Sequence, residues 1–253
     1  MGWQKNFLYL GVFTVVLCAE LVGFSIAPQL RAESQLVSVT FPSASSIGAP
    51  ARTAGGGQRS PDCVNQDNPS LTVLAPTNNV GTTISSNPTL FWYVPTTKAK
   101  SAQFSVLDSQ DNEVYQTTLA LTGVPGVVKL SLPHTVSLEP GKIYRSLLML
   151  QCNLDDHSMD TYVEGNLERK ELSVVDKAKL DQATQPLQKA EVYAGASIWQ
   201  ETVSTLAQLR HDRPSDPKVI AAWQELLKSV NLDAIANEPL VECCTANSGV
   251  NGQ

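Results

Sequence analysis

The sequence predicts an α+β fold, an antiparallel β-sandwich followed by a C-terminal helical segment. Three observations predict it. Short runs of alternating apolar and polar residues, punctuated by turn residues, recur from Leu71 to Arg169, which is the period of half-buried strands. After Leu172 the apolar spacing lengthens to the helical period of about 3.6. Between them, Leu138-Glu139-Pro140-Gly141-Lys142-Ile143-Tyr144 runs into Leu147-Leu148-Met149-Leu150 and reads as a tyrosine corner. There a Leu packs inward, Pro-Gly turns the chain, and the Tyr hydroxyl bonds back to the turn, as in immunoglobulin- and fibronectin-III-like sandwiches.

The elements follow in chain order. Lys5 precedes an apolar run from Phe7 to Ile26, broken only by Thr14, Glu20 and Ser25. Residues 1–31 therefore read as a secretory signal peptide, with an uncleaved membrane anchor as the alternative. Leu17 occupies the place where a lipidation signal before Cys18 needs a small residue. Residues 32–69 are rich in Ser, Ala, Gly, Pro and Thr, with Gly55-Gly56-Gly57 at their heart. Such a stretch buries too little surface to offset its ordering entropy, so it reads as a flexible linker. The glycines lack the strand, helix and Lys-Ser/Thr pair of a phosphate loop.

Residues 70–172 are assigned to the sandwich. Leu71–Ala75 is strand-like and stops at Pro76, after which Asn78-Asn79 and Gly81 turn the chain. In Thr89–Val94, Leu90, Trp92 and Val94 point one way, Phe91 and Tyr93 the other. Trp92 is the natural core tryptophan. Phe91 and Tyr93 are candidate binding-surface residues, offering rings to a sugar or peptide; the alternative is that C-terminal helices cover them. Ala102–Leu107 and Glu113–Leu119 form a hairpin across a polar turn, and Val127–Leu132 follows Gly123-Val124-Pro125-Gly126. The corner strand from Tyr144 to Cys152 and a last strand from Asp160 to Arg169 bring the count to about seven, as in such sandwiches.

Residues 173–240 are assigned to helices. Asp176–Thr184 is a short one, and Pro186 opens a longer one that Gly195 breaks. A third carries Trp199, Val203, Leu206 and Leu209, and Lys218–Val230 turns Val219, Trp223, Leu226 and Leu227 inward. Tyr144, Trp199 and Trp223 join Trp92 as structural core residues. Tyr193, Gly195, Trp199, Ala207 and Pro214 resemble a tetratricopeptide helix pair, but too few repeats fit for a free-standing array. The helices are expected to dock on the sandwich. Residues 241–253 read as a disordered tail.

Chemistry is bounded by what the chain carries. The net charge of −6 and the scattered basic residues disfavour a nucleic-acid partner, whose binding rests on clustered Lys and Arg. In an oxidising compartment Cys63 and Cys152 are the disulfide candidates, tying the linker to the sandwich. The neighbours Cys243 and Cys244 are left free, bridged elsewhere, or binding a soft metal. His134, His157 and His211 belong to no metal-ligating or nucleophile-activating motif, and the loop Asp155-Asp156-His157-Ser158-Met159-Asp160 lacks the ligand order of a calcium site. No catalytic residue, metal or cofactor is assigned. A distant carboxylate pair, such as Glu164 and Glu168, is the hydrolase alternative.

Asn87-Pro88-Thr89-Leu90-Phe91-Trp92-Tyr93-Val94-Pro95, Gly126-Val127-Val128, the corner through Tyr144, the strand ending in Cys152, Val163–Arg169, Gly195-Ala196-Ser197-Ile198-Trp199 and Leu206–Arg210 together resemble the cyanobacterial domain of unknown function 928. The resemblance covers Leu71 to Leu240. It implies an exported β-sandwich protein with trailing helices and no assigned activity. The expectation is a non-enzymatic binding or structural module of the periplasm or cell envelope. Its partner would be an envelope protein or polymer, and it would touch a membrane only through an uncleaved N-terminus. The alternatives are an envelope hydrolase acting on glycan or peptide, and a sensor ectodomain on an N-terminal anchor.

Overall fold

Period-2 patterning and local turn chemistry become eight strands in two sheets. The computed structural model describes residues 38–42, 63–64, 69–153, 155–156, 158 and 160–242. The signal segment, most of the linker, Cys18, His157, Cys243, Cys244 and the rest of the tail lie outside the described residues. The strands are β1 (Thr72–Val73), β2 (Val80–Thr83), β3 (Thr89–Val94), β4 (Ser101–Leu107), β5 (Glu113–Ala120), β6 (Gly126–Ser131), β7 (Ile143–Gln151) and β8 (Thr161–Arg169). One sheet has the order β1-β3-β6 and the other β2-β8-β7-β4-β5.

One pairing departs from the expected antiparallel pattern. β2 lies parallel to β8, with Val80 opposite Asn166 and Thr83 opposite Arg169, so the larger sheet is mixed. Gly81 had read as part of a turn; it sits instead inside an edge strand, because a Cβ there would come within 2.5 Å of the Gln200 side chain. The turn is confined to Pro76–Asn79, where the Asn79 N–H donates to the Pro76 carbonyl at 2.7 Å.

The alternation on β3 feeds two cores. Leu90, Trp92 and Val94 turn between the sheets, where they pack with Phe104, Val106, Leu148, Leu150, Val163 and Leu167. The Trp92 and Phe104 rings meet edge to face at 5.1 Å between centroids, a favourable arrangement for aromatic quadrupoles. Phe91 and Tyr93 turn outward into the second core, together with Leu74, Val127, Trp199, Val203, Leu206, Trp223 and Leu226. The described residues from 69 onward therefore form three layers: sheet, sheet and helices.

The helical layer contains α1 (Val174–Gln182), α2 (Pro186–Gly195), α3 (Trp199–Asp212), α4 (Pro217–Ser229) and a 3-10 turn at Asp233–Ile235. Ser173 caps α1 by accepting from the Asp176 N–H, and Asp216 caps α4 by accepting from the Lys218 N–H, the usual remedy for orphan N-terminal donors. Trp199 anchors α3 to the sandwich. Its indole N–H donates to the Leu74 carbonyl at 2.8 Å, and its main-chain N–H donates to Thr82 Oγ1 at 3.0 Å. Gly195 ends α2 but has no atom near its missing Cβ, so it is not the close-packing residue of a tetratricopeptide pair.

Three local devices hold the sandwich. The corner is formed as its residues predict: the Tyr144 hydroxyl accepts from the Glu139 N–H at 3.0 Å, over a fully buried Leu138. Cys63 and Cys152 form a disulfide with Cα atoms 5.5 Å apart across a separation of 89 residues. By loop-closure entropy, such a bridge contributes at most about 4–5 kcal/mol. Finally, Pro239–Val241 lies beside β6, where the Val127 N–H donates to the Pro239 carbonyl and the Val241 N–H to the Val127 carbonyl. Gly126 leaves room for that crossing, since a Cβ would meet Val241 at 2.3 Å.

Candidate binding cleft

A short edge strand, a tight turn and a helix end combine to leave a cleft of about 420 Å³, within the range of about 300–1,000 Å³ typical of ligand sites. One wall comes from β1 and the turn that follows it. Leu74 donates its N–H to the Phe91 carbonyl at 2.9 Å, and Val73 lies opposite Trp92 in the antiparallel register. Hydrogen-bonded and non-bonded pairs alternate in such a ladder. Val73 is therefore a non-bonded position, and its N–H and C=O point away from β3.

The other wall is the end of α4. Asn231 adopts a φ of 62°, a left-handed conformation that Asn tolerates and that stops helices. Leu232 then donates its N–H back to the Leu227 carbonyl at 2.8 Å, and the 3-10 turn places Leu232, Ala234 and Ile235 against the cleft. Asn79 braces the floor. It is fully buried, its φ is 55°, its amide Nδ2 donates to the Glu164 carbonyl at 3.4 Å, and its own carbonyl accepts from the Asn166 N–H. Its Oδ1 has no hydrogen-bond partner.

The lining decides which chemistry fits. Ser70, Thr72, Thr77, Asn79 and Asn231 supply uncharged polar groups, the rest is aliphatic or Pro, and no charged or aromatic residue contributes. Such walls offer nothing to neutralise a phosphate or carboxylate, and no ring to stack on a sugar.

The sequence-assigned residues are placed elsewhere. Phe91 and Tyr93 are 2% and 4% exposed, so the candidate binding surface there is corrected in favour of the alternative reading: α3 and α4 cover that face of the small sheet, because its apolar side chains need a second layer. Trp92, Tyr144, Trp199 and Trp223 are all buried. Glu164 and Glu168 lie on β8, four residues apart on one strand face, hence separated by about 13 Å. That exceeds the spacing of about 5–9.5 Å between glycosidase carboxylates, and Glu168 pairs with Lys170 at 3.3 Å. Ser146 on β7 is buried and donates to the Gly165 carbonyl at 3.0 Å.

A second polar constellation joins the layers. Glu201, in the first turn of α3, accepts through Oε1 from Thr83 Oγ1 at 2.7 Å and from the N–H groups of Ile84 and Ser85 at 3.2 Å each. Burial raises its pKa against the opposing pull of those donors. The arrangement ties α3 to the end of β2. Among the described residues, no group of three His, Cys, Asp or Glu could hold a metal ion, and no helix is long and apolar enough to cross a membrane.

The cleft escaped the sequence reading because its walls come from opposite ends of the described chain. The sequence marks the turn after Pro76 at Asn78-Asn79, but a local turn does not reveal that the end of α4 faces it. A family model described as Domain of Unknown Function (DUF928) matches residues 54–240. No curated protein and no solved structure matches the chain.

Proposed function

We propose, for a chain that belongs to the DUF928 family, a non-enzymatic binding module that acts outside the cytoplasm, in the periplasm or at the cell envelope. It engages an envelope protein or polymer through the cleft between β1 and the end of α4. The observation that carries this reading is the cleft itself, an open recess of about 420 Å³ whose lining is polar but uncharged. That composition suits recognition by hydrogen bonding and shape, and its lining holds no acid or base to activate the hydroxyls of Ser70, Thr72 and Thr77.

Export is supported by two further features. The Cys63–Cys152 disulfide belongs to an oxidising compartment, and the apolar run from Phe7 to Ile26 has the layout of a secretory signal. Intact-mass analysis of the protein from its native envelope reads both, as loss of the N-terminal segment and as the mass gain on reduction. The binding reading is tested by cross-linking the processed protein in envelope extracts. A saturable partner is expected. Stabilisation by small molecules alone, with no cross-linked partner, overturns it.

A further inference from the structure

We propose that the cleft binds an extended, uncharged peptide segment by adding it as a strand to the outer edge of β1. The proposal rests on the binding reading above and specifies its site and the partner's chemistry. Its basis is the main chain. Val73 directs its N–H and C=O away from β3, and no described group bonds them; nor does any described group bond the N–H or C=O of Ala75, two residues on. Both residues line the cleft and are each 8% exposed. Donor and acceptor pairs at i and i+2 match the repeat of an extended chain, which presents its own outward pairs at alternate residues.

The walls select the occupant. Without a charged residue in the lining, a charged side chain entering the cleft would lose hydration without compensation. Without an aromatic ring, the cleft lacks the platform a saccharide would stack on. Leu232 and Ile235 instead offer an aliphatic wall to every second side chain of a strand. The edge is also recessed behind the 3-10 turn and only two residues of β1 are paired, so a single extended segment reaches it where the sheet edge of a second folded copy does not. Asn79, fully buried and bonded to β8 on two sides, keeps the floor in place without a ligand.

The test uses the full chain, isotopically labelled, with acetyl-VTVTV-amide as probe and chitotetraose as the saccharide comparison. Two variants address the site. Ala75→Pro removes an N–H that has no partner among the described residues, and Ala234→Trp fills the cleft from an exposed position. The expected result is saturable peptide binding with amide shifts at Val73 and Ala75. Each variant weakens it at least about tenfold, the equivalent of one or two main-chain hydrogen bonds. Binding of chitotetraose but not the peptide overturns the proposal, as does peptide binding that survives both variants or responds only to Ala234→Trp. Partner capture from envelope extracts separates the two ideas. If the peptide fails while Ala234→Trp still abolishes capture, strand addition falls and the binding module stands. If wild-type protein captures nothing, the binding module itself falls.

Discussion

The Tyr144 hydroxyl accepts a hydrogen bond from the main-chain N–H of Glu139 at 3.0 Å, closing the corner between the end of the Leu138 segment and β7. The corner is clamped from the other side as well. Arg169 Nη1 donates to the Leu138 carbonyl at 2.6 Å, and the Gly141 N–H donates to the Arg169 carbonyl at 2.7 Å. Tyr144→Phe keeps the buried ring and removes only the acceptor. It should destabilise the protein by about 0.5–1.5 kcal/mol, the net value of one such bond. Urea unfolding checks this: a lowered midpoint with an unchanged slope is expected, and an unchanged midpoint would mean that the Arg169 contacts alone hold the corner.

Gly81 and Gln200 form a second close relationship, between β2 and the start of α3. A Cβ on residue 81 would lie 2.5 Å from Gln200 Nε2, and Gln200 is itself buried with Oε1 unpartnered. Gly81→Ala should therefore cost about 1 kcal/mol, the low end of the overpacking range, because the displaced atom is the end of a long side chain. In a Gln200→Ala background the same substitution should cost much less. A double-mutant cycle by denaturant unfolding measures the coupling; additive costs would show that the strain is relieved elsewhere.

What the sequence revealed depended on how local the determining physics was. The tyrosine corner was legible because Leu138, Pro140, Gly141 and Tyr144 specify it within one short segment. The alternation of β3 was legible too, since period-2 patterning separates Trp92 from Phe91 and Tyr93 whatever the rest of the chain does. Which layer covers each face was not, because that depends on where Trp199 and Trp223 arrive. The parallel β2–β8 pair was illegible for a related reason: Gly81 reads as a turn residue until Gln200 is placed beside it. The cleft is the extreme case, because its uncharged character emerges only when Thr72, Thr77 and Asn231 are brought together.

Glu201 makes the junction of sandwich and helices sensitive to pH. Its Oε1 accepts three hydrogen bonds from Thr83, Ile84 and Ser85, while Oε2 is buried without a partner. Burial raises its pKa above the ordinary 4.5, more than the donors lower it, and its charge helps desolvation raise that of Tyr193. A raised carboxyl pKa means that the folded state holds the proton more tightly than the unfolded chain. The stability this group adds is fully present below the unfolded value and is lost as pH rises through the folded one. Glu201 should thus oppose the usual acid destabilisation, with its effect confined to the window upward from about pH 4.5. Glu201→Gln keeps an acceptor oxygen for the three donors and cannot ionise, so it should flatten the fall in unfolding free energy across that window. Glu201→Ala leaves the donors unpaired and should cost about 1–3 kcal/mol at every pH. Denaturant titrations of the wild type and both variants, from pH 4.5 to neutrality, distinguish the two effects. An identical pH slope in wild type and Glu201→Gln would show that Glu201 does not titrate in that window.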